Sequence, residues 1–380
     1  MRVAMVGQFP ASLDKPVGGV EAVFANTVHA LLRVRPDLDV HVVRWSADRA
    51  GESYPQGAPP YTVHNVRPGL QGLQGLWPRL GPRPDIQKVL DRLRPDVVHV
   101  QAMAFLVDGR RYPSVLTIHG ILERDVLYRR PLTGRLRSWL LGMSERPARA
   151  RYGHITLIAG YPIQYLGEGL KGLCHLIPNP VEDEFFEIRH EESGPRILFV
   201  GPIIPLKNVH GLIEAAAVLA RQGVDFQWRM AGPRTDPPYG ERCDALVARH
   251  GLGERVVFLG NLDRTALRQE LARARCLVLA SFQENAPMAV SEAQAAGVPV
   301  VVSPAGGTAE MIGGGHCGNL VSPYNAESIA DGVRLFLEDP DWAAEIGRRG
   351  RERAQVHRPE RVAGQTLAVY DRIVRERAGG

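Results

Sequence analysis

Short runs of consecutive apolar residues alternate along this chain with stretches whose apolar positions recur at helical spacing. RVAMVG (2–7), DVHVVRW (39–45), DVVHVQ (96–101), SVLTIHG (114–120) and HITLIA (154–159) read as strands. Each run is continuous rather than alternating, the pattern of a sheet buried on both faces. Between the first two, GGVEAVFANTVHALLRV places Val20, Val23, Phe24, Val28, Leu31 and Leu32 on one helical face. Strand, helix, strand predicts a parallel sheet, because parallel neighbours need a crossover. The pattern then restarts with RILFVG (196–201), FQWRMAG (226–232), RVVFLG (255–260), RCLVLAS (275–281), VPVVVS (298–303) and GNLVS (318–322). The polar stretch EIRHEESGP (187–195) breaks both periods and reads as a linker. An amphipathic helix, PERVAGQTLAVYDRIVRE (359–376), closes the chain.

A chain of 380 residues exceeds what one core usually serves. The expected fold is α/β: two Rossmann-like doubly wound domains facing a cleft, the first over residues 1–187 and the second over 195–358. In such folds ligands sit beyond the carboxyl ends of the strands, so the loops that follow strands carry the chemistry.

Three loops stand out. Gly18 and Gly19 precede the first helix, where backbone can approach a ligand and the helix start offers N–H groups to phosphate. No GxGxxG follows the first strand, which disfavours a nicotinamide site. After RILFVG comes PIIPLKN, where Lys207 can neutralise a phosphate and Asn208 can cap the next helix. After RCLVLAS comes FQENAPMAVSEAQAAG. Asn285 caps a helix expected to begin near Ala286, with Pro287 in its first turn. Glu284 then lies in the loop before the helix and Glu292 nearly two turns in. The free N–H groups between them suit a diphosphate, with one carboxylate for sugar hydroxyls and the other for a ribose diol. Each of these residues also has an ordinary reading, as a solvated side chain or a helix cap.

Composition changes the picture little. A net charge of +5 favours anionic ligands slightly and is too weak to imply nucleic acid. Cys174, Cys243, Cys276 and Cys317 form no CxxC pair, and Cys276 reads as a buried thiol. That pattern suits a reducing, cytoplasmic setting. Asp37-Leu38-Asp39 spells DxD but lies in the turn entering the second strand, at the end opposite the expected cleft. No metal ligand set and no cofactor are expected.

The run SFQENAPMAVSEAQAAGVPVVVSPAGG (281–307) resembles the nucleotide-sugar loop of the family-4 retaining glycosyltransferases, in which two glutamates with seven residues between them flank a helix start. FVGPIIPLKN resembles their diphosphate loop and GGVEAVFANTVHALL their N-terminal glycine loop. TIHG (117–120), HLIPNPV (175–181) and GNLVSPYNAESIADGVRLFLEDP (318–340) occur in the expected order. The resemblance implies the GT-B architecture, with segment 359–380 returning to the first domain. It implies a retaining hexosyltransferase-type enzyme that moves a sugar from a nucleoside-diphosphate donor to a hydroxyl acceptor without a metal. It assigns Gly201, Lys207, Ala286, Pro287 and Met288 to the donor phosphates, Glu292 to the ribose, and Glu284 and His119 to the sugar. The family carries arginine where this chain has Pro202. Arg234, beyond the next strand, is the candidate replacement. A nucleotide-sugar epimerase and a non-catalytic nucleotide-sugar-binding protein are the alternatives.

The segment RRPLTGRLRSWLLGMSERPARAR (129–151) has seven arginines and one glutamate, with Leu132, Leu136, Trp139, Leu140 and Met143 on one helical face. It reads as a domain helix with a solvated face, or as a contact with an anionic membrane surface.

Overall fold

Continuous apolar strands need cover on both faces, and two separate sets of helices supply it. The structure is a computed structural model that describes residues 1–13, 18–46, 49–57, 60–67, 83–129, 131–191 and 194–379. Within it, the side chains of residues 125, 128, 129, 131–133, 137 and 168 lie outside the description. Parts of three sequence expectations therefore fall outside the described residues: 14–17 of the glycine loop, Glu192 and Ser193 of the polar stretch, and Arg130 of the basic segment 129–151.

One compact unit comprises Met1–Pro180 and Pro359–Gly380. Its strands are β1 (Arg2–Val6), β2 (Asp39–Trp45), β3 (Ser53–Gln56), β4 (Tyr61–Val66), β5 (Val97–Gln101), β6 (Ser114–Ile118), β7 (His154–Leu157) and β8 (Leu173–Leu176). Their order is β3-β4-β2-β1-β5-β6-β7-β8, parallel except for the β3–β4 pair. Helix α1 (Gly19–Val34) covers one face together with the terminal helix α14 (Pro359–Ala378). The two are tied by Arg35 to Asp371 at 2.9 Å. Helix α2 (Arg83–Leu93) lends Ile86 and Leu90 to the core on the opposite face. Strands β3, β4 and β8 escape the apolar-run criterion for local reasons. β3 carries Pro55 at the sheet edge, where a missing N–H is tolerated. β4 interleaves Thr62, His64 and Asn65 with apolar residues. β8 is the other edge and leaves Leu173 and Leu176 exposed.

Helices α3 (Leu122–Arg129) and α4 (Pro131–Arg149) pack on each other in this unit. Arg149 is buried between Glu123, at 2.5 Å, and Glu145, at 3.6 Å. One guanidinium cannot neutralise two buried carboxylates, so one of them retains its proton. Burial pushes the Glu145 carboxyl up to about 7.

The second unit is Val181–Arg358. Its strands are β9 (Arg196–Val200), β10 (Gln227–Ala231), β11 (Val256–Gly260), β12 (Cys276–Leu279), β13 (Val300–Val302) and β14 (Asn319–Leu320). They form an all-parallel sheet in the order β11-β10-β9-β12-β13-β14. The helices that matter below are α6 (Asp183–Phe186), α7 (Val209–Arg221), α8 (Pro237–Arg249), α9 (Arg264–Arg273) and α10 (Met288–Ala296). Aspartates close the starts of α8 and α9: Asp236 accepts from the Tyr239 amide and Asp263 from the Ala266 amide. The polar stretch at 187–195 is not where the chain leaves the first unit. Val181, Phe185, Phe186 and Ile188 are buried, the Glu191 amide donates to the Ala272 carbonyl, and Arg273 pairs with Glu191. Apolar anchors ahead of the polar residues thus move the division to Pro180–Val181.

A group protonated in the fold but ionised in the unfolded chain lowers stability as pH rises from about 4.5 to about 7. Glu145→Gln keeps the shape and removes that titration. Above pH 7 the variant should melt higher than the parent, by roughly 2–4 °C, about 1 kcal/mol for a chain of this size. At pH 4.5 the two should melt alike. Calorimetry across that range checks it, and a lower melting temperature for the variant at pH 8 would contradict the protonated assignment.

Candidate functional site

In the second sheet the strand order reverses between β9 and β12, so the chains leaving these two neighbours depart to opposite sides and open a crevice. The loop after β9 holds Lys207, and the loop after β12 holds Glu284. They are laced together: the Phe282 amide donates to the Leu206 carbonyl at 3.0 Å. Asn208 occupies the cap position of α7 but does not cap it with its side chain. Its backbone is left-handed (φ 55°), and its Nδ2 donates to the carbonyls of Ala280 and Pro323 at 3.1 and 2.7 Å. The expected cap is therefore a brace between three loops.

The backbone at the root of the Lys207 loop is crowded. Gly232 has φ +152°, and a Cβ there would stand 1.8 Å from the Gly201 carbonyl oxygen. Gly201 in turn donates its amide to the Ala231 carbonyl at 2.9 Å. Two glycines thus let the loops after β9 and β10 touch through backbone alone.

Lys207 Nζ and Glu284 Oε1 are 2.5 Å apart, with side chains 16% and 9% exposed. The two groups that the sequence places near phosphate and sugar are thus an ion pair with each other. Helix α10 begins at Met288, two residues later than the spacing suggests, with Pro287 as its extended cap residue and no side-chain cap. Asn285 does not cap it; its carbonyl accepts from the Gly307 amide instead. Pro287 has no N–H, and its carbonyl accepts from the Val290 amide. The amides of Met288 and Ala289 therefore open the helix, and Ala286 lies in the approach to it. All nine residues of α10 are buried, which explains a sequence of mostly small side chains.

Glu292 is neither exposed nor unaccompanied. It is 3% exposed, and Arg264 Nη1 donates to its Oε1 at 2.8 Å. Arg264 Nε also donates to Glu182 Oε2 at 3.1 Å, and the guanidinium lies 4.6 Å from the Phe185 ring centroid. Burial opposes the charge on Arg264, but Glu292 and Glu182 outweigh it and hold the guanidinium ionised. One oxygen of Glu292 is thus committed before any ribose arrives. Arg234 is likewise engaged: it grips Asp244 at 2.6 and 2.8 Å and lies 4.5 Å from the Phe258 ring centroid. The Asp244 hydrogen bond raises it above the ordinary guanidinium range. In this structure nothing directs Arg234 into the space that Pro202 leaves.

In the first unit, Gly18 is the extended cap residue of α1 and Gly19 its first residue, with open space around the position of a Gly18 side chain. His119 follows β6, is 8% exposed, and sits 2.5 Å from Gln101 Oε1 through Nε2. Burial pushes it down to about 4, so it is neutral at physiological pH. His99 belongs to the core, as its position inside a strand suggests, at 3% exposure. Asp39 begins β2 and pairs with Arg2 at 2.6 Å. Among the described residues no group of three or more His, Cys, Asp and Glu side chains could hold a metal ion.

Sequence reasoning missed Arg264, Glu182 and Gln101. Arg264 follows a recognisable cap aspartate, but its partners lie 82 residues before it and 28 after. Gln101 ends a strand two residues after His99, on the same face, and that alternation is the signal that could have found it.

Comparisons with known proteins bear on these loops. Residues 180–353 match the family described as Glycosyl transferases group 1, and residues 17–185 match Glycosyltransferase Family 4. The chain is 28% identical over 279 residues to an MMP alpha-(1->4)-mannosyltransferase of Mycolicibacterium hassiacum, covering 69% of this chain and 66% of that one. Other curated relatives are matched over as little as 39% of their length. Among solved structures, sucrose-phosphate synthase of Thermosynechococcus elongatus superposes with a TM-score of 0.83 at 21% identity, covering 98% of both chains. Anabaena HepE in complex with UDP-glucose superposes with a TM-score of 0.71 at 18% identity, covering 100% of both.

The crowding at Gly232 gives a test. Gly232→Ala meets the Gly201 carbonyl and a φ that a side chain rarely adopts. Stability should fall by roughly 2–4 kcal/mol. Chemical denaturation measures it, and a loss below about 0.5 kcal/mol would mean that the loops do not cross this closely.

Proposed function

The chain belongs to the family-4 glycosyltransferases of GT-B architecture, and on that premise we propose that it transfers a sugar, hexosyl in type, from a nucleoside-diphosphate sugar to a hydroxyl acceptor with retention at the anomeric carbon. The observation that carries the reading is the meeting of Lys207 and Glu284 beside the start of α10, at the point where strand order reverses. A cation, a helix start and a carboxylate within one crevice are what a diphosphate bonded to a polyol requires. The fold shared with a protein crystallised with UDP-glucose supports it.

In this reading the donor diphosphate takes Lys207 and the amides of Met288 and Ala289, beside the close-packed backbone at Gly201. The anomeric carbon–oxygen bond to the diphosphate breaks, and the acceptor oxygen bonds to the same face of that carbon. The acceptor proton passes to the leaving phosphate oxygen. Lys207 and the helix start stabilise the charge that develops there, and no divalent metal is invoked. Glu284 receives sugar hydroxyls, Glu292 offers the ribose the oxygen that Arg264 does not hold, and His119 meets the donor sugar as a neutral ring.

The ion pair makes the test specific, because diphosphate must draw Lys207 away from Glu284. Glu284→Gln releases the lysine, so affinity for UDP or another nucleoside diphosphate should rise roughly 10–100-fold, as one charge-assisted hydrogen bond of about 1.5–3 kcal/mol suggests. Sugar transfer should fall at the same time. Lys207→Met should lower nucleotide affinity, and in that background Glu284→Gln should change nothing. Calorimetric titration with UDP, GDP and ADP decides it. Independent losses from the two substitutions would remove both from the phosphate site, and failure of every nucleotide to bind the parent protein would remove the donor class.

A peripheral partner is proposed on the face of α4. Leu136, Trp139 and Met143 are 61%, 61% and 57% exposed along one side, Arg135 and Arg146 are exposed nearby, and the helix's one acidic residue, Glu145, is buried. Leu132 of the predicted face, and Arg129, Arg130 and Arg137 of the same segment, lie outside the described side chains. Among the described residues no helix is long and apolar enough to cross a membrane. We place this face on an anionic bilayer surface, with apolar residues at the acyl boundary and arginines at the headgroups. Sedimentation with phosphatidylglycerol-containing vesicles should retain the protein, and Trp139→Glu should weaken binding at least tenfold. Equal binding to neutral phosphatidylcholine, or no effect of Trp139→Glu, would reject the assignment.

A further inference from the structure

One face of the first sheet carries four polar side chains in a row. His99 and Gln101 are two apart on β5, Thr117 pairs with Gln101 across the β5–β6 ladder, and His119 follows two residues later. All four are buried. Against them packs Tyr370 of α14, fully buried. The chain of contacts runs without a break. Tyr370 Oη meets His99 Nδ1 at 2.6 Å, and Thr117 Oγ1 meets His99 Nε2 at 2.6 Å. Gln101 Nε2 meets His99 Nε2 at 3.2 Å, and Gln101 Oε1 meets His119 Nε2 at 2.5 Å.

An amide has one donating end and one accepting end. Gln101 touches the same atom type, Nε2, on both rings. The two rings must therefore differ: the nitrogen facing the amide oxygen carries a proton, and the nitrogen facing the amide NH₂ does not. We propose that Gln101 is a positioning residue that locks His119 and His99 into complementary tautomers, His119 protonated at Nε2 and His99 at Nδ1. Thr117 then donates to the bare Nε2 of His99, and His99 donates from Nδ1 to Tyr370. Burial lowers His119 to about 4 and His99 to about 3, so both rings stay neutral and the lock holds across the physiological range.

The consequence concerns what His119 can do. Its Nδ1 then carries a lone pair and can only accept a hydrogen bond; it cannot hand a proton to a departing phosphate. This consequence rests on the proposed role of His119 at the donor sugar. The tautomer pair does not.

The test is long-range ¹H–¹⁵N correlation on the full chain labelled at histidine nitrogens. The expected pattern is Nε2–H for His119 and Nδ1–H for His99, unchanged between pH 6 and 8. Gln101→Glu offers two accepting oxygens in place of one donor and one acceptor. His99 should then move its proton to Nε2, which loss of packing alone would not cause. Both rings in one tautomer, or His119 protonated at Nδ1, would overturn the proposal. So would a folded Gln101→Glu protein in which neither ring changes. Should the carboxylate prevent folding, the parent spectrum and the isosteric Gln101→Met, which should leave His99 a mixture of tautomers, decide the matter; an unmixed Nδ1–H signal in that variant overturns the lock. A verified lock with normal transfer in Gln101→Met would remove His119 from the reaction and leave the tautomer assignment standing.

Discussion

Parallel pairing is the constraint from which the rest follows. A parallel strand cannot be reached by a tight turn, so every pair of neighbours costs the chain a crossover, and those crossovers bury the sheet on both sides. Burial on both sides demands continuous apolar strands. It also sends all loops of one kind to one edge. In the second unit the order β11-β10-β9-β12-β13-β14 has one reversal, between β9 and β12, and there the helices diverge and leave room. Lys207 and Glu284 are 77 residues apart in sequence and hydrogen-bonded in space because their strands are neighbours at that reversal.

The interior charges obey a second rule. A buried ion persists only with hydrogen-bonding partners, and two of the buried clusters here are threes. Arg149 serves Glu123 and Glu145, and Arg264 serves Glu182 and Glu292. In each group one cation faces two carboxylates, so the environment is left short of positive charge. In the first group the shortage is met by protonation, at Glu145. The Lys207–Glu284 pair is balanced by itself and becomes unbalanced only when another anion enters, which is why it suits a site that opens to a ligand.

How much of this could be read from sequence depends on how local each cause is. Strand and helix periods are local, so the central strands and α1, α7, α10 and α14 were legible within a few residues. The edges β3 and β8 were not, because an edge strand need not be apolar. The pairing of Glu284 with Glu292 across a helix start was visible as spacing. Glu292's guanidinium partner was not, since nothing near it in sequence announces Arg264. Asn208 has the residue type of a cap but spends its side chain on Ala280 and Pro323, a choice set by loops brought in from elsewhere. Arg234 looked available and is held by Asp244, ten residues on, along α8. Residue type announced the chemistry; tertiary partners decided which groups were already committed.

The place of α14 has a consequence for the order in which the molecule can be made. The first unit draws Val362, Leu367, Val369, Tyr370 and Ile373 into the same core as Val3, Phe24, Val28 and Leu31. The second unit is an uninterrupted segment, Val181–Arg358. During vectorial synthesis the first-made half of the protein must therefore wait, its α1 face uncovered and His99 lacking its phenol, while the later-made half has all its residues and can fold. The first unit is complete only once α14 has been made, after all of the second, so the unit that is started earlier is finished later.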